Sequence, residues 1–275
     1  VPALAEIIEA LERSYPKELA ESWDAVGLVC GDPADEVTRV LFCVDPVEAT
    51  VAEAEELGAQ LIVAHHPLLL RGVHGVPADT PKGGLVHRMI RGGIALYCAH
   101  TNADSADPGV SDALAEAIGL TVRGPLDPHV PGGRTGIGRI GELADAEPFA
   151  AFVRRVAEAL PATLPGVLGA GDPDRPIRTV AVSGGAGDSY LAKAAAAGVD
   201  AYVTADLRHH PAGEHLAATG GAPALVGLTH WASEWPWCRQ ASAIVGAAFA
   251  GNVDSHVSTR CTDPWTVRAS QQGAP

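Results

Sequence analysis

The sequence predicts an α/β chain made of two related parts, each built on a mostly parallel sheet. Apolar runs over 39–44, 60–64 and 94–99 alternate with helical patterns over 48–57 and 84–91, which is the signature of βαβ units. The pattern then recurs: strands at 179–182, 201–204 and 224–228, with a helix over about 189–197. Val40 to Val63 spans 23 positions, as does Val180 to Val203. Finally, 275 residues of which 47% are apolar suit one large globular domain or two small ones. With only two copies, a solenoid is excluded.

Leu4, Ile7, Ile8 and Leu11 fall at helical spacing, and Pro16 stops that helix. The segment from Glu21 to Gly31 reads as a loop leading into a short strand. The first buried strand ends at Asp45-Pro46, and Gly58 closes the Ala- and Glu-rich helix after it. The second ends in Ala64-His65-His66-Pro67. A pure strand would send two successive rings to opposite faces, and Pro67 cannot continue a central strand, so the chain turns here. Loop is expected over 71–83. The third strand runs into His100-Thr101-Asn102-Ala103-Asp104. Residues 124–138, rich in Gly and Pro, read as a linker. Phe149, Phe152, Val153, Val156 and Leu160 mark an amphipathic helix, and four prolines between 161 and 176 mark loop. In the second part, Ser183-Gly184-Gly185-Ala186-Gly187-Asp188 is expected to be a glycine-rich turn. The next two strands lead to Asp206, His209 and His210, and to His230-Trp231-Ala232-Ser233-Glu234.

Composition narrows the function. The net charge is −14, from 19 basic against 33 acidic residues, which disfavours a nucleic-acid partner and suits a carrier of metal cations. No apolar run is long enough to span a membrane. No charged segment followed by an apolar one opens the chain, so nothing points to secretion; Val1 in place of an initiator Met leaves room for residues before it. Five cysteines without C-x-x-C spacing, two of them (Cys43 and Cys98) inside apolar runs, fit a reducing cytoplasm.

The chemistry lies at the strand ends. His100 with Asp104, and His230 with Glu234, stand four apart, so each pair can present nitrogen and oxygen from one helical face. In open α/β sheets ligands bind beyond the carboxyl ends of the strands, where His65, His66, Asp206, His209 and His210 also fall. Imidazole and carboxylate without clustered Cys suit Zn, Fe, Mn, Co or Ni. The donors outnumber the three or four needed by one zinc, so two divalent metal ions per chain are expected, activating water for hydrolysis. The glycine segment lacks both the dinucleotide fingerprint and the P-loop lysine. Trp231, Trp235 and Trp237 read as packing residues rather than a base-stacking platform.

Glu21-Ser22-Trp23-Asp24, Gly27-Leu28, Ala64-His65-His66-Pro67, His100 to Asp104, Ser183 to Gly187, Thr204-Ala205-Asp206 and His230 to Glu234 together resemble the Nif-three-like dinuclear-metal family, also called GTP cyclohydrolase I type 2 homologues. The resemblance covers about residues 5–265. It implies two interlocked, topologically similar α/β domains with the metal site between them: 1–128 plus 229–275, and 129–228. It also implies a homohexamer. Residues 139–178 are too short for the extra domain some members insert. By motif, His65, His66, Asp104, His230 and Glu234 would be metal ligands, with His100 beside them as an orienting or proton-transfer group. Two departures are Ala205 and Thr229, where Gly is usual. The implied function is hydrolysis of a nucleotide, GTP by analogy, through metal-activated water. The alternative is a non-catalytic metal-binding assembly or regulatory protein.

Overall fold

Where the sequence presents its densest apolar runs, the computed structural model, which describes residues 1–269, places central strands. In chain order the elements begin with α1 (Leu4–Ser14), β1 (Gly27–Cys30), β2 (Arg39–Cys43), α2 (Glu48–Leu57), β3 (Leu61–Ala64), α3 (Pro81–Arg91), β4 (Ala95–Cys98) and α4 (Thr101–Ser105). They continue with α5 (Val110–Ala117), β5 (Thr121–Gly124), β6 (Asp127–Pro128), β7 (Gly136–Ile137), β8 (Arg139–Pro148), α6 (Phe149–Ala159) and β9 (Leu168–Ala170). Last come β10 (Pro176–Ala186), α7 (Leu191–Ala196), β11 (Ala201–Ala205), α8 (His209–Thr219), β12 (Ala224–Leu228), α9 (His230–Ala248) and β13 (Asp254–Val257). No helix among the described residues is long and apolar enough to cross a membrane.

The chain divides into two compact units, each discontinuous. The first comprises Val1–Ala113, Pro128–Ile137 and Glu234–Thr262; the second comprises Leu114–Asp127, Gly138–Ser233 and, of the described residues, 263–269.

In the first unit the sheet order is β1-β4-β3-β2-β13. The junctions β4-β3, β3-β2 and β2-β13 are parallel and only β1 runs antiparallel, against β4. All four residues of β3 are buried, as expected for a strand covered on both faces. Leu41, Ile62 and Leu96 pack with Val51 and Ala54 of α2 and with Leu85 and Met89 of α3. Each such side chain contributes roughly 1.5–3 kcal/mol on burial. Helix α3 starts three residues earlier than the apolar pattern indicates. Pro81 occupies its first turn, where the missing N–H costs nothing, and the Thr80 hydroxyl accepts from the Gly83 amide at 3.2 Å.

The second unit has the order β5-β8-β10-β11-β12-β9. Its centre, β10-β11-β12, is parallel, while the flanking junctions are antiparallel. Alternation along β10 gives it two faces. Val180 and Val182 meet Phe149, Phe152 and Val156 of α6, whereas Ala181 meets Leu191 and Ala194 of α7.

The glycine segment is not a simple turn. Strand β10 continues to Ala186, with its register against β11 shifted between Val182 and Ala186. Side chains replace the missing ladder: the Gly185 amide donates to Ser233 Oγ at 2.8 Å, and Thr204 Oγ1 donates to Gly185 O at 3.1 Å. The Tyr202 hydroxyl donates to Gly187 O at 2.9 Å. A Cβ on Gly187 would lie 2.0 Å from Thr204 Oγ1, so only glycine fits there. The expected helix at 189–197 begins instead as a single 3₁₀ turn, Asp188–Tyr190, before α7. The Gly- and Pro-rich stretch 124–138 holds the small β6-β7 pair rather than plain linker.

Candidate metal centre

The pairing of β2 with β3 extends one step past the strands: the His65 amide donates to Cys43 O at 3.1 Å and the His66 amide to Val44 O at 2.9 Å. The backbone then turns at Pro67, and the two rings end on one side, with centroids 5.0 Å apart. The end of β4 delivers His100, whose ring lies 5.3 Å from that of His65 and 5.6 Å from that of His66. One nitrogen from each of these three rings falls within 4.8 Å of the others, a spacing able to hold a metal ion.

All three rings are fixed the same way. His65 Nδ1 bonds to Ala99 O at 2.9 Å, His66 Nδ1 to Asp45 Oδ1 at 2.7 Å, and His100 Nδ1 to Asp24 Oδ1 at 2.9 Å. A carbonyl or carboxylate oxygen can only accept, so Nδ1 carries the proton in each case. Nε2 is thereby turned toward the cluster. Metal-binding histidines are wired this way, the outer partner fixing ring and tautomer. The anchors are themselves held: Asp24 Oδ2 accepts from Thr101 N (3.0 Å) and Oγ1 (2.5 Å), and Asp45 Oδ2 accepts from the Thr262 hydroxyl.

Buried Glu234 reaches the same ring atoms. Its Oε1 is 3.4 Å from His65 Nε2 and its Oε2 is 3.0 Å from His66 Nε2. Asp104, in the first turn of α4, places Oδ1 3.7 Å from His65 Nε2. His65 is fully buried, yet its Nε2 makes no hydrogen bond. A buried, unbonded nitrogen aimed at two carboxylates fits a cation as the missing partner.

The electrostatics of these donors follow from their crowding. Burial opposes charge on His66, but Glu234 and Asp45 outweigh it and push the ring up to about 11. His65 is likewise raised, Glu234 and Asp104 overcoming burial. Burial pushes Asp104 up to about 6. His100 goes the other way, lowered by burial and by the neighbouring His65. Burial disfavours ionised Asp24 and Asp45, but the hydrogen bonds they accept prevail and hold both below the usual carboxylate range.

The structure thus brings together His65, His66, His100, Asp104 and Glu234 within the first unit. His230 opens α9 in the second unit, where its Nδ1 bonds to Asp206 Oδ2 at 2.7 Å, the same wiring again. His209 and His210 are exposed at the start of α8 and meet edge to face, 5.0 Å between centroids. Trp231, Trp235 and Trp237 are buried, as packing residues should be, and Trp237 lies 5.2 Å from the His65 ring. The anchoring roles of Asp45 and Thr262 have no motif in the sequence, and Asp24 falls in the Glu21-Ser22-Trp23-Asp24 stretch without any sign there that it will meet His100. The one hint is that Asp24 and Asp45 flank strands at the sheet edge where the histidines lie.

Comparison with known proteins bears on this geometry. The profile of the Duf34/NIF3 family (NGG1p interacting factor 3) matches residues 2–264. A Streptomyces coelicolor protein named "GTP cyclohydrolase 1 type 2 homolog" is 52% identical, with both chains covered in full. A Mycobacterium bovis protein of the same name is 40% identical over 371 aligned residues, covering 96% of this chain and 97% of its own. That alignment is much longer than this chain, so many of its positions have no counterpart here. Among solved structures, a Bacillus cereus protein related to NIF3 superposes with a TM-score of 0.84 at 26% identity, covering 98% of this chain and 99% of its own. Reduced HcgD from Methanocaldococcus jannaschii gives 0.74 at 25% identity, covering 93% and 97%.

Proposed function

The chain belongs to the Duf34/NIF3 family, and from that premise we propose that it is a metal-dependent hydrolase binding two divalent cations per chain and acting on a nucleotide. The observation that carries the metal reading is the shared wiring of the rings: Nδ1 anchored outward, Nε2 inward, and His65 Nε2 buried without a hydrogen bond. His65, His66, Asp104, Glu234 and, one turn before Glu234 on α9, His230 would hold the ions. Nitrogen and carboxylate donors in this mixture suit Zn, Fe, Mn, Co or Ni. Bound cations supply Lewis acidity, lowering the pKa of water and polarising the bond to be cleaved.

The protein's own contribution is positional. Asp24 turns the His100 ring, and burial beside His65 favours its neutral form, so at neutral pH Nε2 is an acceptor ready to take a proton. Asp45 and Thr262 keep His66 facing inward. The nucleotide assignment rests on the name carried by the Streptomyces and Mycobacterium relatives. By resemblance the active form is a homohexamer.

Metal analysis of the purified protein is expected to give two ions per chain, with the His66→Ala variant depleted; one or none in the wild type would break the dinuclear reading. Metal-loaded protein should convert GTP to a ring-opened or pterin product at a rate well above that of Glu234→Ala. Equal rates would remove GTP as substrate and leave the metal result standing.

A further inference from the structure

A second feature lies wholly in the second unit. Beside β12 and the start of α9 is a cavity of about 880 Å³, within the roughly 300–1,000 Å³ of small-molecule sites. Leu168, Leu207, Leu225 and Leu228 make its apolar wall, and Trp265 lines it as well. Leu168 and Trp265 are 69% and 66% exposed, among the most exposed large apolar side chains of the described residues. Exposed apolar surface gathered around one cavity marks a place for a ligand.

The charge of the lining selects the ligand. Asp206, Asp263 and His230 supply the ionisable groups, and no lysine or arginine lines the cavity among the described residues. Arg208, next to Leu207 in sequence, points its guanidinium at Asp188 instead. A phosphate needs cations or several converging amides; here it would meet two carboxylates. A carboxylate rim accepts hydrogen bonds from N–H groups, and an exposed indole offers a flat stacking face. Asp206 is also the one non-glycine residue among those described with a left-handed backbone, φ +55°. That conformation is held while its carboxylate fixes His230 Nδ1 at 2.7 Å. Space for the ring comes partly from Gly227: a Cβ built there would meet nothing closer than 3.9 Å.

We propose that this cavity binds a planar nitrogen heterocycle without phosphate, stacked on Trp265 with its N–H edge toward the aspartates. This deepens the hydrolase reading and rests on it only in placing the heterocycle beside His230 as the substrate's base. It implies that any phosphate of the substrate lies outside the cavity and that the unphosphorylated nucleoside is the better ligand.

The test is calorimetric titration of chelated, metal-free full-length protein with guanosine, GMP and GTP at physiological salt. Guanosine is expected to bind at one site per chain, with affinity falling about tenfold or more from guanosine to GTP as negative charge is added against the carboxylates. Trp265→Ala should weaken guanosine binding about tenfold, the scale of one lost stacking contact, while Trp265→Phe retains most of it. Gly227→Val, which adds bulk to the cavity lining, should abolish binding; circular dichroism checks that each variant folds. GTP binding as tightly as guanosine overturns the proposal. So does guanosine binding indifferent to both Trp265→Ala and Gly227→Val. Absence of guanosine binding also overturns it, including the case in which Trp265→Ala lowers the oligomer mass and so shows a second copy of the chain to be the occupant. Metal content, measured on the same preparations before chelation, separates the two readings: missing metal with intact guanosine binding defeats the hydrolase and leaves the heterocycle site.

Discussion

Each imidazole of the centre commits its Nδ1 to an oxygen, so what happens to the proton on Nε2 decides how a cation enters. Without metal, both rings are raised, His66 to about 11, so His66 is protonated at pH 7 and His65 holds its proton more readily than a free imidazole. A cation requires the neutral ring. Binding therefore expels protons, and affinity rises with pH through the neutral range. It should fall further below about pH 6, where Asp104 also takes up a proton. Titration with Zn²⁺ in two buffers of different ionisation enthalpy at pH 7 should register proton release; a heat independent of buffer would contradict the wiring. Asp45→Asn keeps the size of the anchor but weakens it, and should lower metal affinity about 10–100-fold with the fold intact, measured by competition with a chelator. The His65-His66 pair was legible in the sequence because two adjacent imidazoles ending an apolar run are chemically conspicuous. Their anchors were not. Asp45 stands 21 residues from His66, and Asp24 stands 76 from His100. An isolated aspartate in a loop carries no sign of the ring it will meet.

The elements that carry these residues are short and buried. Strand β3 has only four residues, yet it lies between two parallel neighbours and hands over both histidines. Ile62→Ala removes a fully buried side chain from its centre and is expected to cost about 2–5 kcal/mol, read from denaturant unfolding, with partial loss of bound metal. A stability change below about 1 kcal/mol would mean the site collapses around the lost side chain. Central strands such as β3 and β11 were legible because burial on both faces requires continuous apolar sequence. Strands β8 and β9 were hidden for the converse reason: Glu142, Asp145 and Glu147 load β8 with residues of low strand preference, and Leu168 in β9 is exposed. Helix α9 was visible only at its first turn. Its interior holds Pro236, which removes a single N–H, and the helix continues to Ala248.

At the level of the whole chain, the α/β class and the doubled pattern were both readable, because each sheet centre repeats strand, helix, strand. One passage between units falls inside α9, between Ser233 and Glu234, and a continuous helix offers no linker composition to mark it. The first unit also depends on distant sequence: β13 supplies the edge beside β2, and Glu234 and Thr262 complete the histidine cluster. A fragment of residues 1–128 lacks all three and is expected to bind Zn²⁺ far more weakly than the full chain. Tight, stoichiometric binding by that fragment would contradict this dependence.

The discontinuity of the first unit also sets an order of events during synthesis. His65, His66, His100 and Asp104 leave the ribosome early, whereas Glu234 and the Thr262 that steadies Asp45 emerge near the end. A nascent chain holding the imidazoles but not Glu234 lacks the carboxylate that does most to hold both rings above the usual imidazole range. The full donor set is therefore complete only when translation is nearly finished, and any cation the cluster takes up would meet all its donors only then.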